Sequence, residues 1–418
     1  MHCAIFIYKK YTMIYLYITN NTSISYDNNN WYINDEPQQK TKAEDTNKFK
    51  SEATNSARLM ASSELGKIIN HFKYIAVLAA AGTSMDNGEQ HGKTRTELWA
   101  NCQPEIKAIT DTLKARNAYN EKLKKIEEEQ NIEDFLSFLV LYEKINDTLK
   151  GEEKDSLLKD KLEKKIANAC CLKLDETNKH HGDFLRKLTA RKPSEPRLQL
   201  FTTNYDTLFE QAAMKQGYTI VDGFSFSYPR VFSGINFDHD IVYRERTRLK
   251  QEESFIPNVF QLFKLHGSID WEKEKGKIYQ RENVNTPCII YPASEKYESS
   301  YEQPYFEMMS HLQQTLRKEG TLLIIVGFGF QDKHIQNVIK EAVYQNSNFH
   351  LFIVNFCGKT PDGKEVGILH ENLKEYVSTD MKVRSNVSVL FSTFKDFVEL
   401  FPMNNSYDKK NSIEDETI

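Results

Sequence analysis

LFTTNYDTLFE, residues 200–210, is the stretch that decides the fold. Residues 198–201 form the apolar end of a strand, Thr202 to Asp206 a polar turn, and residues 207–214 the start of a helix. A buried strand that hands a polar loop to a helix is the repeating unit of an open parallel sheet. In such sheets the loops leaving the carboxyl ends of the strands line the ligand crevice. Asn204 and Asp206 therefore stand where a ligand is met, although capping the following helix explains the same residue types equally well.

Working outward, the same signature recurs. Apolar, β-rich runs at 75–81, 262–265, 288–291, 322–326, 349–354 and 387–391 are expected as strands, several of them continuous runs of the kind buried on both faces. Helical periodicity over 305–318 and 334–345 separates some of them. The expected fold is α/β, a Rossmann-like doubly wound and mostly parallel sheet. Residues 96–190 are almost wholly helical in pattern and too long for one crossover helix, so they are expected as a helical subdomain inserted in the α/β domain. The domain spans 60–403. Residues 1–59, where the stretch 19–56 is poor in aliphatic residues, are expected as a weakly structured N-terminal appendage, and 404–418 as a polar tail.

Bulk composition narrows the function classes. With 39% hydrophobic and 27% charged residues the 418-residue chain is an ordinary globular one. A net charge of -4, from 55 basic and 59 acidic residues, gives no global reason to expect nucleic acid or a membrane surface. Direct nucleic-acid binding is left open. The six cysteines form no C-x-x-C pair, so no structural zinc is expected, and their sparseness fits a reducing cytoplasm. The apolar start of the chain is interrupted by Lys9 and Lys10 and falls short of spanning length, which argues against a targeting or membrane segment.

Four loops that follow strands carry residues suited to chemistry: Gly82-Thr83-Ser84-Met85-Asp86-Asn87-Gly88, Thr202-Thr203-Asn204-Tyr205-Asp206, His266-Gly267-Ser268, and Gly327-Phe328-Gly329-Phe330 with Asp332 just beyond. Small residues let backbone N–H groups approach a pyrophosphate. Each loop also has a plain structural explanation: a tight turn for the glycines, a cap for Asp206 and Asp332, a turn carbonyl for His266. The combination is more specific than any member.

In this order and at these separations the set resembles the sirtuin-like NAD-binding fold, and most closely the sirtuin-like NAD hydrolases of bacterial anti-phage defence. Three further stretches, Asp222-Gly223-Phe224-Ser225, Ile289-Ile290-Tyr291-Pro292 and Asp332-Lys333-His334-Ile335, resemble the subgroup that works beside a HerA-type translocase ATPase. The resemblance implies NAD as substrate, with catalytic residues Asn204 and His266. It implies a binding set of Gly82, Thr83, Ser84, Asp86, Thr203, Asp206, Gly267, Gly327 and Gly329. Gly82 and Ser84 would approach the phosphates, Asn204 and Asp206 the nicotinamide ribose and carboxamide, and Gly327 and Gly329 would leave room for the adenosine half. Cleaving nicotinamide from ribose develops positive charge on the sugar; an imidazole titrating near neutrality suits a ribose hydroxyl proton, and a fixed amide suits the water. Ala80 stands where the family often has glycine, and the four-cysteine zinc module of protein deacylases has no counterpart, which argues against acyl-lysine removal. The expected function is NAD glycohydrolase, an NAD-depleting defence effector that is homo-oligomeric and partnered by the ATPase. The alternatives are a non-catalytic NAD or ADP-ribose-binding subunit of an ATPase complex, or a nuclease effector in one.

Overall fold

The computed structural model describes residues 13–27, 29–38, 46–149, 156–243, 255–282, 284, 286–289, 303–330, 332–356, 358–359, 365–366, 371–378 and 380–407. Its centre is β12 (Thr321–Val326), TLLIIV, buried at every position. A run with no polar alternation fits only a strand covered on both faces. It pairs in parallel with β5 (Tyr74–Ala79) and with β13 (Phe349–Asn355), Ile324 standing opposite Val77 on one side and Phe352 on the other. From there the sheet continues in parallel to β16 (Val387–Phe391) in one direction. In the other it continues to β6 (Gln199–Thr202), β8 (Val259–Lys264) and β7 (Thr219–Val221).

Side chains alternate between two cores because strand period is two. Leu78, Phe201, Phe263, Ile325 and Ile353 face one side, where Met308, Leu312 and Leu316 of α9 (Tyr305–Arg317) and Ile335 and Ile339 of α10 (Lys333–Gln345) cover them. Val77, Leu200, Leu262, Ile324 and Val354 face the other, under α1 (Thr46–His71), α7 (His180–Thr189), α8 (Leu208–Lys215) and α11 (Phe394–Leu400). The sheet is thus doubly wound, as expected from sequence.

The described residues among the first 59 depart from expectation. β1 (Ile14–Ile18), β2 (Ser23–Tyr26), β3 (Trp31–Ile33) and β4 (Glu36–Pro37) add an antiparallel ribbon to the free edge of β16, making an 11-stranded sheet. Tyr17, Ile18 and Ile24 are fully buried, and Tyr17 donates to Glu64 of α1, which also accepts from Ser388 of β16. The physical reason is nonlocal. These strands are too short to bury themselves, but an existing sheet edge supplies both backbone partners and a covered face. Ile18→Val should therefore cost about 0.5–1.5 kcal/mol in denaturant unfolding, where a loose appendage would show no change.

The helical insertion is also smaller than expected. α2 (Arg95–Asn101), α3 (Gln103–Ala115), α4 (Glu121–Glu128), α5 (Ile132–Leu149) and α6 (Ser156–Cys170) close around their own core of Trp99, Ile109, Phe135, Leu136 and Leu162. α7, inside the expected range, instead seats Phe184, Leu185 and Leu188 on the main sheet. Helical periodicity marks an apolar face without saying which core it meets. The run at 288–291 corresponds to β11 (Pro287–Ile289), which leaves the main sheet and joins β9 (Gly267–Glu274) and β10 (Lys277–Gln280) in a separate antiparallel one; residues 290–292 lie outside the described part. A two-residue ribbon of β14 (Gly358–Lys359) and β15 (Glu365–Val366) follows β13. Of the expected tail, 405–407 form a short turn and 408–418 lie outside the described residues.

The chain continues from β5 to β6 on one side, while β12 returns on the other. Strand order thus reverses between β5 and β12, the position at which open α/β sheets receive ligands, and the loops leaving these two strands meet through Gly82 N and Gly327 O.

Candidate active site at the sheet's carboxyl edge

The loop after β6 is fixed from within. Asn204 N donates to Thr202 Oγ1 at 3.0 Å, and its side chain turns to the loop after β5. There Nδ2 donates to Ser84 Oγ at 3.0 Å and lies 3.2 Å from both Ala80 O and Thr83 Oγ1. Ser84 Oγ in turn donates to Asp206 Oδ2 at 2.7 Å, and Asp206 Oδ1 accepts from Leu208 N at 3.1 Å. Asn204, Ser84 and Asp206 are all buried. The amide's donor end is committed to the β5 loop, which turns its carbonyl oxygen into the acceptor left for a ligand or water. Burial raises the Asp206 carboxyl, against the charge of Lys264 and the bonds from Ser84 and Leu208.

Lys264, the last residue of β8, sits under this loop. Its Nζ donates to Asp206 O at 2.5 Å and to Glu210 Oε1 at 2.7 Å, with the lysine side chain 3% exposed. Burial pushes the Glu210 carboxyl up to about 7, with Lys264 restraining the rise. Burial by itself would lower the lysine, but Glu210, Asp270 and Asp206 hold it above its ordinary range. A lysine inside an apolar strand, FQLFK, was the available sequence signal, since a buried cation requires a partner.

Two residues on, His266 leaves β8. Its Nε2 lies 2.9 Å from Asp332 Oδ2, and the two side chains are 10% and 7% exposed. Asp332 also caps α10, Oδ1 accepting from His334 N at 2.9 Å and Ile335 N at 3.1 Å. Burial works to raise its carboxyl, but the bond to His266, the histidine's charge and the Ile335 N–H together hold it below the ordinary carboxylate range. Sequence reasoning left Asp332 as a cap; it is a cap and the histidine's partner at once.

The remaining expected residues divide. Gly82 and Gly327 face each other: Gly82 N donates to Gly327 O at 3.1 Å, and a Cβ on Gly82 would fall 2.5 Å from Gly327 Cα. Gly327 has φ +68, the left-handed region that favours glycine. Thr83 N and Ser84 N close a tight turn on Ala80 O and Ala81 O. The N–H groups of Gly82, Thr83 and Ser84 are thus engaged by protein carbonyls, which differs from a turn offering them to a pyrophosphate. Asp86 turns away, its Oδ2 accepting from Lys395 N at the start of α11. Thr203, half-buried, extends the ladder to Ala79 O. Gly267, φ +83, is required by β9–β11 pairing, since a Cβ there would lie 2.1 Å from Cys288 O. Among the described residues a Cβ on Gly329 would meet nothing within 4 Å, so this position borders open space there.

One residue was missed altogether. Asn355, at the carboxyl end of β13 and 6% exposed, keeps Nδ2 buried without a partner among the described residues. A buried donor left unpaired at the carboxyl end of a strand is a group that a ligand would satisfy. Its signal was the polar residue closing an apolar strand, FHLFIVN. Among the described residues no group of His, Cys, Asp and Glu is placed to hold a metal ion, and no helix is long and apolar enough to cross a membrane.

The family model for a SIR2-like domain matches residues 199–376. The match takes in the Asn204, His266, Gly327 and Asp332 loops and leaves β5 and its loop outside. Among solved structures, the chain is similar to Sir2Tm bound to a propionylated peptide, at 12% identity over 81% of this chain and 95% of that one, TM-score 0.34. A mutant Sir2 homologue in complex with ADP-ribose gives 13% identity over 81% and 94%, TM-score 0.38. Sir2 with a p53 peptide and NAD+ gives 13% over 80% and 95%, TM-score 0.34. No curated protein matches the chain.

Proposed function

We propose that this chain is an NAD glycohydrolase that cleaves NAD to nicotinamide and ADP-ribose. The observation that carries the reading is the pairing at one sheet edge of a fixed amide, Asn204, with an imidazole held by a carboxylate, His266 with Asp332. The SIR2-like match over the same loops supports NAD as the molecule processed. In the reaction a water oxygen bonds to the anomeric carbon of the ribose. The electron pair of the glycosidic C–N bond passes to the nicotinamide ring, which leaves neutral. Asn204 accepts a hydrogen bond from the water and orients it; His266 takes up the ribose hydroxyl proton, and the proton that the water gives up on bonding returns to that ribose oxygen, so the one net proton of the reaction ends on His266. Gly329 and Asn355 border the space for the rest of the dinucleotide. Asp206 and Lys264 hold the Asn204 loop in register.

On the same reading the chain acts as the NAD-depleting effector of an anti-phage system, as a homo-oligomer beside a HerA-type ATPase. The support is the motif resemblance. Of its three stretches, Asp222–Ser225 forms a turn in which Asp222 holds Phe224 N and Arg230, and the stretch at Asp332 supplies the histidine's partner. The stretch from Ile289 runs beyond the described residues.

Purified protein, alone and with the ATPase, should release nicotinamide and ADP-ribose from NAD. Asn204→Ala should reduce the rate by about 10²-fold or more, the scale of losing one positioned polar group. Tight binding of NAD without turnover under either condition, or cleavage unchanged in Asn204→Ala, would overturn the assignment.

A further inference from the structure

The carboxylate of Asp332 is used in two directions. Oδ1 is fixed by two backbone N–H groups of α10's first turn, His334 N and Ile335 N, and this sets the side chain's rotamer. Oδ2 is thereby aimed at His266 Nε2 at 2.9 Å, across 66 residues of sequence and with both side chains nearly enclosed. The helix N-terminus favours the negative charge, and the carboxyl lies below its ordinary range. An ionised carboxylate accepts hydrogen bonds and cannot donate them. A hydrogen must therefore sit on His266 Nε2, and in the neutral ring the lone pair is then on Nδ1.

We infer that Asp332 is the positioning residue of this site, holding His266 in the Nε2–H tautomer so that Nδ1 is the nitrogen that receives the substrate's proton. Asp332 acts through His266 and does not itself touch NAD. The inference rests on the reading of His266 as the catalytic imidazole. Its observable content is the tautomer, which exists with or without turnover.

Asp332→Asn isolates the point. An asparagine keeps one oxygen to accept from His334 N and Ile335 N, so the cap survives, while its NH₂ faces His266 and can only donate. Nε2 must then become the acceptor and the hydrogen must move to Nδ1. In the full-length protein with ¹⁵N-labelled histidine, the His266 ring resonances should change from the Nε2–H to the Nδ1–H pattern. In NAD cleavage, kcat should fall by about 10²–10⁴-fold, the range of general acid–base catalysis, with KM for NAD within about twofold. A purely structural role would leave the tautomer unchanged and would show as lost stability instead. An unchanged tautomer, or a changed tautomer with undiminished kcat, overturns the inference while leaving the glycohydrolase reading intact. A rise in turnover would also overturn it, because Asp332 would then be blocking His266. Absence of NAD cleavage by the unmodified protein with the expected tautomer shift sinks the glycohydrolase reading and leaves the positioning geometry supported.

Discussion

His266→Ala should lower NAD cleavage by about 10²–10⁴-fold, the contribution of a side chain placed for proton transfer. The change removes a ring whose polar partner among the described residues is Asp332 and whose side chain is 10% exposed, so the structural cost is local. Asp332 keeps its two bonds from His334 N and Ile335 N and loses one acceptor contact. An uncompensated partner of this kind costs about 1–3 kcal/mol, which a large doubly wound core can absorb. Initial rates measured on protein that retains its circular dichroism spectrum and a cooperative melt separate the two effects. Activity within threefold of the unmodified enzyme would remove His266 from the mechanism. The same protein still binding NAD without cleaving it is the expected complement, since His266 is asked to act on a proton and not to hold the dinucleotide.

The legible parts of this molecule were those whose signal is local. β12, β13 and β16 read correctly to within a residue because strands buried on both faces are written as continuous apolar runs. The four loops at strand ends were visible for the same reason, and the structure brings Asn204, Ser84 and Asp206 into one hydrogen-bonded chain. What escaped was nonlocal. Nothing within residues 14–37 states that the free edge of β16 will receive them. Gly267 resembles a ligand-loop glycine until Cys288 O is found 2.1 Å from where its Cβ would be. Asp86 lies two residues from Ser84 in a 3₁₀-turn region, and its carboxylate turns to α11. Asp332 met the description of a helix cap so fully that its second oxygen went unassigned, because the partner lies 66 residues earlier.

Lys264→Met should destabilise the protein by about 3–5 kcal/mol, the cost of removing one member of a buried ion pair. The lysine is 3% exposed in its side chain, and its ammonium is shared between Glu210 Oε1 and the carbonyl of Asp206. Methionine fills the volume but leaves the Glu210 carboxylate in a low-dielectric site with no counter-charge. The deficit should depend on pH, and its sign is fixed. Glu210 has a folded-state value raised from 4.5 to about 7 even with Lys264 present, and loss of the lysine can only push it higher. A group with a raised folded-state value contributes stability that is present in full below its unfolded value and is lost as pH rises through the folded one. The variant's unfolding midpoint should therefore lie nearer that of the unmodified protein at pH 5 than at pH 8. Adding Glu210→Gln should recover part of the loss at pH 8, because a neutral amide needs no counter-charge. A deficit independent of pH, or none at all, would mean that Glu210 does not rely on Lys264. The catalytic consequence follows from the same contact: Asp206 O anchors the loop that carries Asn204, so at pH 5, where the fold is largely restored, NAD cleavage by Lys264→Met should stay below that of the unmodified protein at the same pH. Stability and activity then separate in one variant, which assigns Lys264 to holding the water-orienting loop as well as to the core.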